Sequence, residues 1–103
     1  LTNAIILPVV LRFNLPDMQD KVRRMAQAMN MPDHSVEGFI AAVEAMLDEI
    51  KIPKSLGEIG VPADCAERIA EKAMKDSASR TNPRSATMTE VQALTQSAIV
   101  NAR

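Results

Sequence analysis

Aromatic residues are nearly absent from this 103-residue chain, which contains two Phe and no Trp or Tyr. We therefore do not expect it to bind bases or sugars by stacking aromatic rings on them. The charges are almost balanced, with 12 Lys and Arg against 13 Asp and Glu and a formal net charge of −1. Because a protein that binds nucleic acid through its phosphates needs a basic surface, we expect no nucleic-acid partner.

Cysteine and histidine each occur only once, as Cys65 and His34. A single Cys cannot form an internal disulfide and suits a reducing compartment, so we predict a cytoplasmic protein. A metal centre needs several convergent ligands, so we interpret His34, in a polar turn, as a surface residue. No base is apparent beside Cys65, which we interpret as a structural thiol.

Long apolar runs are also missing, since the longest one covers only residues 4–11. This run is too short to span a bilayer, and we expect no membrane association. It has no polar face, and Pro8 disfavours a central strand, so a buried helix is favoured. A chain of this size has little mass to cover such a helix. We therefore expect Ile5, Ile6, Val9 and Val10 to be exposed and to drive self-association.

Four further segments carry apolar residues at helical spacing, which predicts a single all-α domain of about five helices. They cover residues 16–29, 36–50, 62–74 and 87–99. The last one begins with Thr87 and Glu90 at the spacing of a capping box. We interpret the acidic residues between the apolar positions of the second segment as a solvated face; they are Glu37, Glu44, Asp48 and Glu49.

Polar residues and turn signals cluster in one stretch, DSASRTNPR, at residues 76–84. One interpretation is a connection between helices, in which Asn82 bonds to the backbone and Arg84 caps or pairs. The other is a loop that lines a binding site, since loops carry functional residues more often than the elements they connect. The residues alone leave both interpretations open.

Three sequence blocks stand in a fixed order along the chain: residues 3–8 followed by Arg12-Phe13-Asn14, residues 52–56 followed by Gly60-Val61-Pro62, and Asp76 followed by residues 81–84 and the last helix. Together they resemble the C-terminal stretch of the iron-dependent alcohol dehydrogenases, over nearly the whole length of the chain. Val9 departs from the aromatic or His that many relatives carry there.

The resemblance implies a dehydroquinate-synthase-like enzyme that transfers hydride between an alcohol and NAD(P). Such an enzyme has an N-terminal NAD(P)-binding domain and a helical domain that holds iron or zinc as a Lewis acid. The family's metal ligands, one Asp and three His, would all precede Leu1, the last in a His-Gly pair directly before it. Residues 1–103 would then be the distal part of the helical domain, with the remainder of the polypeptide as partner. The chain alone would hold no catalytic, cofactor-binding or metal-binding residue and would be inert.

One site residue can be transferred from the resemblance. Residues 77–81 of this sequence correspond to positions that approach the substrate and nicotinamide pocket in relatives, some of which carry Cys in place of Ala78. We therefore expect Ala78 to form a wall of the substrate pocket. The alternative function is a small helical protein-interaction module without enzymatic activity, in which the Met-rich helix faces form the partner groove.

Overall fold

The apolar N-terminal segment forms a helix, α1, that spans Thr2–Asn14. The computed structural model describes all residues, Leu1–Arg103, and contains four more α-helices: α2 (Gln19–Ala28), α3 (Val36–Glu49), α4 (Ala66–Lys75) and α5 (Met88–Val100). It has no strand, so the predicted all-α class with about five helices is confirmed. No helix combines the length and the apolar character that crossing a bilayer requires.

Two helices begin later than the periodicity predicts. The segment expected to start at Pro16 begins with a 3-10 turn over Leu15–Asp17, and α2 proper starts at Gln19. The segment expected to start at Pro62 likewise opens with a 3-10 turn, Ala63–Cys65, before α4. Tighter turns of this kind are frequent at helix ends, where the first N–H groups have no partner within the α-helix.

The main core contains one face of α1 and the facing sides of α4 and α5. Ile5 is fully buried and Val9 is 7% exposed, and both pack with Leu56, Ala66 and Ile99. The expectation that the apolar run would be exposed is therefore wrong for Ile5 and Val9. Ile6 is also partly covered. Only Val10 of the four stays clearly exposed, while Ile5 and Val9 lie on the side of α1 that packs in the main core with α5.

A second, smaller core joins α2 to α3 and contains Leu15, Val22, Phe39 and Ile40. The outer part of the predicted apolar stripes is not covered. Met25, Met29, Met46 and Ile50 were expected on the buried faces and are exposed, as are Ile69 and Met74 of α4. These helices contact neighbours on one side only, so the buried stripe is narrower than the apolar stripe of the sequence.

Two carboxylates of the expected solvated face of α3 form ion pairs, although Asp48 stays half-exposed. Glu44 pairs with Arg12 of α1, and its side chain is only one quarter exposed. Asp48 accepts a hydrogen bond from Arg103 Nε at 3.0 Å. Their partners lie 32 and 55 residues away in sequence, so periodicity within α3 could not reveal the pairs.

The predicted capping box at the start of α5 is confirmed. Thr87 Oγ1 accepts from the Glu90 N–H at 3.2 Å, and Glu90 Oε1 accepts from the Thr87 N–H at 3.0 Å. The bond from the Thr87 backbone is the main reason that the pKa of Glu90 lies below its ordinary value of 4.5. A lowered pKa in the folded state means that the carboxylate stabilises the fold above about pH 4.5, and that this contribution is lost as the pH falls through the folded pKa.

We therefore expect Glu90→Gln to lower the free energy of unfolding at about pH 7 and to have a smaller effect at about pH 3. Urea denaturation at both pH values measures the difference. Glu71→Gln, at an exposed position of α4, is the control and should behave like the unchanged chain at both. An effect of Glu90→Gln that is equal at the two pH values would contradict the assignment.

Candidate functional site

A cleft of about 630 Å³ opens between the end of α1, the end of α4, the start of α5 and the loop at residues 76–86. This volume lies in the range of small-molecule sites, which are mostly apolar with a few polar groups. The apolar side of the cleft consists of Val10, Phe13, Ala73, Met74, Ala78, Ala86, Val91 and Leu94. The polar side consists of Asn14, Asp76, Ser79, Arg80, Asn82, Arg84 and Ser85.

Ala78 lies in this wall, within a 3-10 turn over Ser77–Thr81. Asp76 shapes the turn: its Oδ1 accepts from the Ala78 N–H at 2.8 Å, and its carbonyl accepts from Ser79 Oγ at 2.7 Å. Asp is well suited to this position, because its short carboxylate can bond the backbone two residues further on. Ala78 thus lines the cleft from a hydrogen-bonded turn, and its contact with a substrate stays a prediction.

The structure supports both interpretations of the polar stretch at residues 76–84, as a connection between helices and as a loop that lines a cleft. Asn82 Nδ2 donates to the Arg84 carbonyl, as expected for a connection between helices. Arg84 Nη1 donates to the Phe13 carbonyl at 3.1 Å, and Arg84 pairs with Glu90 at 3.8 Å. The same two residues also line the cleft. The loop is therefore a structured connection and a cleft wall at the same time.

Sequence reasoning missed the contribution of α1 to the cleft. Phe13 and Asn14 lie in the wall, and Asn14 bonds to Asn82 across 68 residues of sequence. The guanidinium of Arg84 lies 4.2 Å above the centre of the Phe13 ring. A signal was present, because Phe13, Asn14, Asn82 and Arg84 all belong to the blocks that carry the family resemblance. The blocks alone did not indicate that these residues meet.

No group of three or more His, Cys, Asp or Glu side chains converges in a way that could hold a metal ion. His34 lines a separate, smaller cleft of about 260 Å³, with Arg23 and Glu37 as its charged neighbours. The residues of this chain therefore do not fit the divalent metal that the resemblance implies.

Cys65 is buried and free, as interpreted from the sequence. Its sulfur accepts a hydrogen bond from Arg68 Nη2 at 3.1 Å. This contact is the main reason that the pKa of Arg68 is raised above its ordinary value. Arg68 follows one helical turn later on α4, so their spacing of three residues places them side by side.

Comparison with known proteins identifies the family. Residues 1–99 match the C-terminal domain model of the Fe-containing alcohol dehydrogenase family. The chain is 33% identical over 88 residues to a 4-hydroxybutyrate dehydrogenase of Cupriavidus necator, covering 82% of this chain and 22% of that protein. It is 34% identical over 98 residues to a 1,3-propanediol dehydrogenase of Klebsiella pneumoniae, covering 89% and 25%.

A solved structure supports the same family assignment. The crystal structure of a 1,3-propanediol oxidoreductase superimposes with a TM-score of 0.86 at 31% identity, covering 94% of this chain and 27% of that one. The chain thus spans about a quarter of the length of the relatives it matches. With a family model that covers residues 1–99 and a matching fold, this chain belongs to the iron-containing alcohol dehydrogenase family, in its C-terminal helical domain.

Proposed function

We propose that this chain is part of a metal-dependent, NAD(P)-linked alcohol dehydrogenase, and that the cleft beside Ala78 receives the alcohol or aldehyde. The observation that carries the proposal is the cleft itself, of small-molecule size, at the loop where the family resemblance implies the substrate pocket. The relatives described above are named for small hydroxy compounds, 4-hydroxybutyrate and 1,3-propanediol. A small alcohol or aldehyde is therefore the proposed substrate class.

In that reaction this chain shapes the substrate site and excludes water from it. Its apolar wall excludes water from the carbon that gives or receives hydride, and a dry site strengthens the electrostatic interactions made inside it. The metal, iron or zinc, and NAD(P) are proposed to be held by the remainder of the polypeptide, which is the proposed partner of this chain. Alone, the chain is expected to be inert. The cytoplasmic location stays a prediction.

Family membership favours this proposal over a helical interaction module without activity. The relatives described above are all named as dehydrogenases or as an oxidoreductase, and they match most of the chain. An interaction module would bind its partner through the exposed Met side chains of α2 and α3. Reading the codons before Leu1 separates the two, because the dehydrogenase proposal requires a reading frame of several hundred residues with His-Gly directly before Leu1.

The proposal is tested by filling the cleft in the protein encoded by the complete reading frame. Ala78→Phe places a ring where a small alcohol would lie, so we expect kcat/KM for short primary alcohols to fall by about 10- to 100-fold. Ala41→Phe, at an exposed position of α3, should leave steady-state kinetics unchanged. Equal kinetics for Ala78→Phe and the unchanged enzyme would contradict the placement of the substrate.

Self-association through the N-terminal segment stays a proposal in a narrower form. Ile5 and Val9 are buried within the chain, so of the four residues expected to drive it only Val10 and the uncovered part of Ile6 could contact a second copy. Static light scattering of the 103-residue chain at high concentration is the test. A monomer at all concentrations would contradict self-association.

A further inference from the structure

Two asparagine side chains meet at the edge of the cleft. Asn14 Nδ2 donates to Asn82 Oδ1 at 2.9 Å, and Asn82 Nδ2 donates to Asn14 Oδ1 at 2.8 Å. Asn14, at the end of α1, is only 7% exposed. Each amide satisfies both a donor and an acceptor of the other, so removing Asn82 leaves the buried Asn14 amide unpaired. Such a loss costs more than the net gain from one hydrogen bond.

A second contact lies directly beside the first. Arg84 Nη1 donates to the Phe13 carbonyl at 3.1 Å, and its guanidinium stacks on the Phe13 ring at 4.2 Å. Pro83, between Asn82 and Arg84, restricts the backbone angle φ and stiffens this part of the loop. Two neighbouring residues of α1 thus hold two residues of the loop. We call these four residues, Phe13, Asn14, Asn82 and Arg84, the clamp.

The turn that carries Ala78 has no comparable attachment of its own. Its hydrogen bonds are local: the Ala78 N–H and Ser79 bond to Asp76, and Thr81 Oγ1 donates to the Ala78 carbonyl at 3.2 Å. These bonds fix the shape of the turn but not its distance from α1. On one side the turn continues from α4, and on the other it reaches the clamp within one residue of Thr81. The clamp therefore sets the distance between Ala78 and the α1 side of the cleft.

We propose that the Asn14–Asn82 pair determines the substrate specificity of the cleft by holding the Ala78 turn at a fixed distance from Val10 and Phe13 of α1. The specificity claim rests on the proposed function for its substrate, an alcohol or aldehyde. The structural claim, that the pair holds the Ala78 turn in place, does not depend on that function. Asn14 and Asn82 are positioning residues, since they act through the wall. Breaking the hydrogen bonds of this pair widens the cleft, so kcat/KM for longer alcohols rises relative to kcat/KM for short ones.

The test uses the protein encoded by the complete reading frame and three variants. Asn14→Leu removes both amide bonds. Asn14→Gln keeps the amide group, with both its donor and its acceptor, and is the conservative rescue. Asn101→Leu, at an exposed position after α5, is the matched control. Two readouts are taken: hydrogen exchange of the Ala78 and Ser79 amides without substrate, and kcat and KM for a series of primary alcohols of increasing length.

We expect Asn14→Leu to accelerate exchange of the two loop amides at least about tenfold, while amides in the middle of α3 keep their rates. We expect Asn14→Gln to restore most of the protection and Asn101→Leu to change nothing. In the kinetic series, Asn14→Leu should raise KM for the shortest alcohols several-fold, with a smaller change in kcat. The ratio of kcat/KM values should shift toward longer alcohols.

The positioning of the loop and its role in specificity can be contradicted separately. Unchanged loop exchange in Asn14→Leu, or no rescue by Asn14→Gln, overturns the clamp. Faster exchange with an unchanged order of alcohol preference overturns its role in specificity. If the unchanged protein oxidises no alcohol, the proposed function fails and the specificity claim fails with it, while the exchange rates still decide whether the clamp positions the loop. Unfolding of the whole domain in Asn14→Leu would also accelerate exchange of the α3 amides, and exchange of the loop amides in Asn14→Gln then decides the outcome.

Discussion

Replacing Ile5 with Ala is expected to lower the free energy of unfolding by about 2–5 kcal/mol. Ile5 is fully buried in the main core, against residues of α4 and α5, so the deleted methylene and methyl groups leave a cavity. A domain of this size has a free energy of unfolding of roughly 5–15 kcal/mol, so this single change removes a large share of it. Urea denaturation followed by circular dichroism measures the change.

Leu7→Ala is the matched control on the same helix. Leu7 is 36% exposed, so truncation removes a similar number of atoms from a site that solvent already reaches. We expect its effect to be less than about half that of Ile5→Ala. If the two variants lose equal stability, α1 does not pack through the Ile5 face, and the described core would be wrong.

Arg103→Ala is expected to lower the free energy of unfolding by about 2–4 kcal/mol. The Arg103 side chain is only 3% exposed and donates to Asp48 Oδ1 at 3.0 Å, to the Pro53 carbonyl at 3.1 Å and to the Ile52 carbonyl at 2.5 Å. It thus ties the chain after α5 to the turn after α3. Removing the guanidinium leaves these acceptors without their donor, and urea denaturation at neutral pH measures the loss.

Two further substitutions separate the geometry of this contact from its charge. Arg103→Lys keeps the positive charge but cannot donate to three separate acceptors, so we expect most of the stability to be lost. Arg24→Ala removes the same charge from an exposed position of α2 and should have little effect. If Arg103→Lys is as stable as the unchanged chain, the hydrogen bonds are not the source of the stability, and the positive charge alone accounts for it.

The helices could be predicted because each carries its own local signals. The 3.6-residue period of Phe39, Ile40 and Leu47 marked α3, and the spacing of Thr87 and Glu90 marked the start of α5. The ends were harder. The residues after α2 and α3, Asn30 and Lys51, both adopt positive φ, at 55° and 61°. Glycine is the usual residue there, and neither helix has it.

Long-range contacts could not be predicted from one sequence. Periodicity placed Met29 and Ile50 on apolar stripes, but burial also depends on which helix lies opposite, and none covers them. The apolar run of α1 indicated a buried helix, while its cover by α5, more than 80 residues later, had no local signal. The same holds for the site. Ala78 was named through the family resemblance, whereas Asn14 required the fold that brings it to Asn82.

The most direct test of the proposed function is elemental analysis of two purified proteins, the 103-residue chain and the product of the complete reading frame. The proposal predicts stoichiometric iron or zinc in the complete protein and none in the 103-residue chain, whose His, Cys, Asp and Glu side chains form no ligand cluster. A tightly bound stoichiometric metal in the 103-residue chain would contradict it, and so would a complete protein that binds no metal.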